Sequence, residues 1–267
     1  MLVSAYTWLL RFVLFCLNSI QTYLPKKINQ MLECRKIESF VLRRPLENPV
    51  WIHCSSGEFE YAKPVIRALK DQNYSVLVTY FSTSVKDNIE STPEVDGFGP
   101  LPWDLPEKIE AFLNRFSPCC LLIARTDVWL NTVQVCQKRQ IPTLLFSATF
   151  SGNSSRLWPV IRSIVRLGLN SVNEIHCVTA QDLQTLQRLG VTSKALVVGD
   201  TRYDQVLFRL RNSKPLKANK DPRKRNSLVM LCGSTWPQDE KVLLQAVAKL
   251  NEKFKSPNSI ECQNSKD

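Results

Sequence analysis

The sequence predicts an α/β domain built on a mainly parallel, Rossmann-like sheet with helices on both faces, preceded by a membrane-associated N-terminal helix. Two patterns carry the sheet. Short apolar runs recur at 50–54 (VWIHC), 75–81 (SVLVTYF), 119–124 (CCLLIA), 142–147 (PTLLFS), 174–179 (EIHCVT) and 195–199 (ALVVG). Between them lie stretches with an apolar period near 3.6, among them Glu58–Lys70, Pro106–Phe116, Val128–Arg139 and Ala180–Leu189. Strands buried on both faces read as continuous apolar runs, and their alternation with amphipathic helices indicates βαβ units. The helix is a third, separate signal in the first 24 residues.

That segment, MLVSAYTWLLRFVLFCLNSIQTYL, has no basic residues ahead of the apolar run and no small-residue cleavage site after it, so it does not read as a secretory signal. Ser4, Thr7, Arg11, Asn18 and Thr22 fall on one narrow polar stripe of a helix. Lys26, Lys27, Arg35, Lys36, Arg43 and Arg44 follow. An apolar helix trailed by basic residues suits the cytoplasmic face of an anionic membrane surface, either spanning it or lying in the interface. A packed N-terminal helix is the competing reading.

From Pro49 onward the βα alternation defines a domain over 45–208, behind a membrane-attached and basic segment over 1–44. GFGP at 97–100 reads as a turn, because Pro100 and Pro102 block a helix from starting there. No strand is followed by GxGxxG, and there is no GxxxxGK[ST], which excludes dinucleotide-binding enzymes and P-loop NTPases. Residues 209–226 are polar and basic with two prolines, a linker. Residues 227–267 open a second α/β unit with a strand, a turn and a helix, too little to bury a core alone.

Lys and Arg number 35 against 24 Asp and Glu, a net charge of +11, which favours an acidic partner. The basic linker has no aromatic residue for stacking and no recognition helix beside it, so nucleic acid is not the expected partner. The nine cysteines form no CxxC and only His53 and His176 accompany them, so no metal site or cofactor is expected. An odd set of cysteines placed largely in apolar runs suits a reducing, cytosolic compartment.

The segment WIHCSSGEFEYAKPVIRALK, 51–70, ends a buried strand in Ser-Ser-Gly and sets Glu58 at the mouth of a helix. Ligands of open α/β sheets bind beyond the carboxyl ends of the strands. Ser-x-x-Glu is also the pattern of a capping box, with Ser55 as the cap and Glu58 reaching back to a backbone N–H. Both readings stand on spacing alone.

Taken in order, WIHCSSGEFEYAKPVIRAL, LPWDLPEKIEAFL, RTDVWLN, SATFSGNSSR, GDTRYD and GSTWPQDE, behind an N-terminal membrane helix, make the chain resemble the bacterial 3-deoxy-D-manno-octulosonic acid (Kdo) transferases. The resemblance implies the N-terminal half of a GT-B glycosyltransferase, which transfers Kdo from CMP-Kdo to lipid IV-A in lipopolysaccharide synthesis at the cytoplasmic face of the inner membrane. It implies Glu58 as general base, with inversion at the anomeric carbon and no metal. It further implies an acceptor site at Ser55, Ser56, Gly57, Asp127 and Ser151, and a donor-side or phosphate-binding set at Arg202, Ser234 and Thr235. Arg202 is alternatively a surface partner of Asp200 or Asp204, and Ser234 and Thr235 turn residues capping the next helix. Two positions depart from the family: Arg125 stands where it has glutamate, and Thr149 where it has arginine. The family's donor domain also continues beyond residue 267, so the isolated chain is expected to have little or no transfer activity, the alternative being a non-catalytic, glycolipid-binding remnant.

Overall fold

The computed structural model describes residues 1–25, 29, 32, 35, 37–150, 159–213, 230 and 232–254. The chain forms two compact units, Met1–Arg211 and Asn212–Asp267.

The first unit is built on an eight-stranded sheet in the order β1-β4-β3-β2-β5-β6-β7-β8. Its strands are β1 Val41–Leu42, β2 Val50–Cys54, β3 Val76–Tyr80, β4 Gly97–Pro100, β5 Cys120–Ala124, β6 Thr143–Ala148, β7 Glu174–Cys177 and β8 Lys194–Val197. Among the described strands only β1 runs antiparallel, against β4. The chain winds outward from β2 to β3 and β4, then returns beside β2 with β5 and winds the other way. The reversal between β2 and β5 is the topological switch point, where the loops leaving two neighbouring strands diverge and open a crevice.

The helices are α1 Leu2–Ser19, α2 Phe59–Asp71, α3 Lys86–Glu90, α4 Pro106–Phe116, α5 Leu130–Lys138, α6 Pro159–Asn170, α7 Ala180–Leu189 and α8 Thr201–Asn212. Local chemistry sets several ends. Pro106 opens α4, where its missing N–H costs nothing, and Ser117 closes it in the left-handed region at φ 45°. Thr179 and Asp182 form a reciprocal capping box on α7, and Gly190 terminates it at φ 76°. Two apolar layers cover the sheet. One gathers Trp51, Leu77, Phe112, Leu121 and Leu145, and the other Ile52, Phe59, Ile66, Val78 and Phe98. Successive residues of β2 thus point into opposite layers, as the pleat requires.

Residues 97–100 are a correction to the sequence reading. They form a buried strand, not a turn, pairing parallel with β3 and antiparallel with β1. Glycine lets neighbours close in: a Cβ on Gly99 would lie 2.5 Å from the Phe40 ring, and one on Gly97 would lie 2.8 Å from the end of the Leu42 side chain, which has room to shift. A strand that has given up its side chains to let neighbours close in looks like a turn in sequence.

The N-terminal helix forms as expected, and its polar stripe meets the protein at Thr7 and Arg11, joined by Tyr6. Ser4, Asn18 and Thr22 are exposed, and Thr22 lies beyond the helix end. Tyr6 Oη donates to Asp104 Oδ2 at 2.8 Å, Thr7 Oγ1 to Asn131 Oδ1 at 3.0 Å, and Arg11 pairs with Glu107 at 2.9 Å. Trp8, Leu9, Phe12, Val13 and Phe15 are left exposed.

Three of the basic residues after α1 are engaged internally. Arg35 is buried between the rings of Phe81 and Trp103 and donates to the carbonyls of Leu101 and Phe81. Arg43 donates to the carbonyls of Thr92 and Glu90. Arg44 pairs with the buried Asp96 at 2.7 Å. Lys26, Lys27 and Lys36 lie outside the described residues.

In the second unit, α9 runs over Pro237–Phe254 as the sequence predicts. Of the strand expected before it, only Met230 and Cys232 are described, and most of the 209–226 linker also lies outside the described residues.

Candidate functional site

Glu58 sits at the carboxyl end of β2, half-buried, with φ −60° and ψ −13°, and is itself the N-cap of α2. The Ser55 capping box does not form. Instead Glu58 Oε2 accepts from the Ser56 N–H at 2.8 Å and from Ser56 Oγ at 3.2 Å. Oε1 accepts no hydrogen bond from the described residues. One carboxylate oxygen is thereby fixed by the turn while the other stays available to a ligand. No φ in the left-handed region forces glycine at Gly57, and a Cβ there would meet nothing within 4 Å. The backbone at Gly57 faces open space.

Ser55 belongs to the neighbouring strand's chemistry. Its hydroxyl hydrogen-bonds Asp127, just beyond β5, and its carbonyl accepts from Phe81 and Ser82 N–H. Asp127 Oδ2 also lies 3.1 Å from His53 Nε2 and accepts from Trp129 Nε1 at 3.0 Å. Burial alone would raise the Asp127 carboxyl, but the hydrogen bonds and charge of His53, with Trp129 and Ser55, outweigh it and hold it below the usual carboxylate range. Because the ionised carboxylate only accepts, His53 Nε2 carries hydrogen, and Nδ1 meets Thr79 Oγ1 at 3.0 Å. Thr79 in turn accepts from Trp51 Nε1 at 2.8 Å. This chain locks the ends of β2, β3 and β5 together across the switch point. Glu58 and Asp127 both push the buried Cys54 thiol upward, after the larger effect of its burial.

A second group converges on Tyr61, one turn along α2 from Glu58. Arg125, at the end of β5 with φ 66°, donates to Tyr61 Oη at 2.5 Å and to Thr149 Oγ1 at 2.8 Å. Its guanidinium carbon lies 4.8 Å from the Tyr61 ring centroid, and that of Arg202 lies 5.4 Å from the same centroid. Thr201 Oγ1 donates to the Tyr61 carbonyl at 2.7 Å, and Ser147, in a bulge of β6 at φ 50°, bonds Thr201 through its hydroxyl at 2.9 Å. Arg202 also approaches Asp200 at 3.8 Å, the ion pair its neighbours made expected, and its N–H donates to Asp200 Oδ1 at 2.8 Å.

The structure therefore brings Ser55, Ser56, Gly57, Glu58, Asp127 and Arg202 to the carboxyl edge of one sheet. Ser151 lies outside the described residues. Ser234 and Thr235 belong to the second unit. There Ser234 adopts φ 58° and Thr235 Oγ1 meets Glu240 Oε1 at 3.1 Å, while Asp239 accepts the Trp236 N–H at 2.9 Å. These are contacts of a helix start. His53, Tyr61, Ser147 and Thr201 are the site residues that sequence reading missed. The pleat of β2 offers a faint signal for His53, a polar side chain inside a fully buried strand. The others meet only through tertiary structure. Among the described residues, no cluster of His, Cys, Asp and Glu is suited to a metal ion.

The first unit is a Rossmann-like domain of GT-B type with polar residues gathered at its switch point. Solved structures agree at the level of fold. The chain superposes on UDP-GlcNAc 2-epimerase from Neisseria meningitidis with a TM-score of 0.54 at 18% identity, covering 78% of this chain and 63% of that one. For the Methanocaldococcus jannaschii enzyme the TM-score is 0.52 at 17% identity, over 80% and 65%. The model of the 3-deoxy-D-manno-octulosonic-acid transferases matches residues 27–205, and the chain belongs to that family. It is 29% identical to the Bordetella pertussis 3-deoxy-D-manno-octulosonic acid transferase over 61% of this chain and 40% of that protein. Against the Rickettsia felis transferase it is 26% identical over 77% and 44%. The chain thus spans less than half the length of these curated relatives.

Proposed function

We propose that this chain is the acceptor-holding part of a Kdo transferase, which moves Kdo from CMP-Kdo to lipid IV-A with inversion and without a metal. Glu58 is the general base. Its Oε1 takes the proton of an acceptor sugar hydroxyl as that oxygen bonds the anomeric carbon of Kdo. The bond from that carbon to the CMP phosphate oxygen breaks, and its electron pair leaves with CMP. One observation carries the reading: a half-buried carboxylate at the switch point has one oxygen fixed by Ser56 and the other unengaged by the described residues. Position comes first for a general base, and this one is held by its own turn. Ser55, Ser56, Gly57, Asp127 and Ser151 are assigned to the acceptor, and Arg202, Ser234 and Thr235 to the donor side or a phosphate.

The reading places the chain at the cytoplasmic face of the inner membrane, with α1 lying in the interface. A helix held by Tyr6, Thr7 and Arg11 against Asp104, Asn131 and Glu107 leaves Trp8, Leu9, Phe12 and Phe15 outward, the arrangement of an in-plane anchor. The second reading, a non-catalytic glycolipid-binding protein, draws on the same bond from Ser56, which leaves Glu58 a purely structural role.

Glu58→Gln in the full-length protein separates the two. Glutamine preserves the Ser56 contacts and removes the base. Transfer of Kdo to lipid IV-A should fall by a factor on the order of 10²–10⁴ with membrane association unchanged. Activity within a few-fold of the parent would return Glu58 to the turn.

A further inference from the structure

We propose that Arg125 and Arg202, which share the ring of Tyr61, form a seat for a phosphate monoester at the carboxyl edge of β5. The inference names a ligand class at the site above and rests on that reading only for where the phosphate comes from.

Arg125 does not look like a structural arginine of this fold. Arg35 is buried between two aromatic rings and gives its N–H groups to main-chain carbonyls. Arg125 is half-buried and bonds two neutral hydroxyls, those of Tyr61 and Thr149. None of the ion pairs among the described residues includes it. A guanidinium carries five N–H donors, and these two bonds leave most of them for a ligand. Its backbone sits at φ 66°, a conformation that costs a non-glycine residue energy and that persists where surrounding structure enforces it.

Arg202 adds the second cation. The two guanidinium carbons lie 4.8 and 5.4 Å from one ring centroid, and Arg202 is exposed on its own helix. Two like charges against one ring repel unless an anion sits with them, and the 3.8 Å approach of Asp200 serves Arg202 alone. A phosphate monoester matches better than a carboxylate. It brings close to two negative charges and three acceptor oxygens, enough to take hydrogen bonds from more than one guanidinium.

The test is isothermal titration of the 267-residue chain, read without any turnover, so that failure of the transferase reading leaves its outcome unaffected. Glucose 1-phosphate stands for a phosphorylated sugar headgroup and CMP for a nucleotide, with glucose as the uncharged control. Binding of either phosphate, absent for glucose, should weaken about tenfold in Arg125→Gln and in Arg202→Gln, and by a smaller factor in Arg125→Lys, which keeps the charge and loses the planar fork. Preference for glucose 1-phosphate places the phosphate on the acceptor side, and preference for CMP on the donor side; both support the seat. No binding of either ligand at ~10 mM, or binding undiminished in Arg125→Gln, overturns it. Circular dichroism checks the fold of each variant. Should Arg125→Gln not fold, the exposed Arg202→Gln decides: undiminished binding there overturns the seat.

Discussion

Arg125 and Thr149, the two positions singled out in the sequence reading, hydrogen-bond each other at 2.8 Å. Single-sequence reading names both positions but has no way to show that they touch, since they leave different strands. Gly57 shows the reverse case, a residue whose identity the fold does not require. With open space where a Cβ would sit and no left-handed φ, Gly57→Ala should leave stability unchanged or raise it by about 0.4–1 kcal/mol, read by urea denaturation. Acceptor binding that falls in this stable variant would assign the glycine to ligand approach. Asp96 is structural. Burial would raise its carboxyl, but hydrogen bonds from Lys70, the Val76 N–H and Arg44 outweigh that and hold it below the usual carboxylate range. A carboxyl depressed in the folded state stabilises it above the unfolded pKa, and that contribution is lost as pH falls through the folded value. Asp96→Asn should therefore cost about 2 kcal/mol at neutral pH and much less well below pH 4 in the same urea titration. An equal cost at both pH values would contradict this.

Among elements, legibility followed burial. β2, β3, β5 and β6 announce themselves because strands covered on both faces are continuous apolar runs, and each formed within a residue or two of expectation. β4 did not, because Phe40 and Leu42 occupy the space its side chains would fill. The polar stripe of α1 was legible, but its direction was not. Sequence period gives a face, and only the partners Asp104 and Asn131 say which way it turns. Tyr6→Phe with Thr7→Val removes both hydrogen bonds and keeps the helix's size and apolarity. Each bond is worth about 0.5–1.5 kcal/mol net, so amide exchange across α1 should quicken by roughly tenfold or more while α4 and α5 keep their protection. Unchanged exchange would show that α1 is held by other contacts.

At the scale of the molecule, the net charge of +11 says less about partners than its size implies, because Arg35, Arg43, Arg44 and Lys70 are committed to carbonyls and to Asp96. Composition counts charges without locating them. For the membrane placement proposed above, the apolar side of α1 then becomes the stronger candidate for the attractive force. Leu9, Phe12 and Phe15 are each more than 60% exposed on it. Full burial of such a side chain is worth about 1.5–3 kcal/mol, so half-burial of three in an interface gives roughly 2–4 kcal/mol, or about 30- to 1,000-fold in partition. Leu9→Ser, Phe12→Ser and Phe15→Ser together should weaken sedimentation of the chain with anionic phospholipid vesicles by at least about 30-fold. Raising salt from about 0.1 to 0.5 M screens the surface charges that remain and should cost the parent chain less than that. If salt releases the parent while the triple variant still binds, the charges hold it and α1 does not lie in the bilayer.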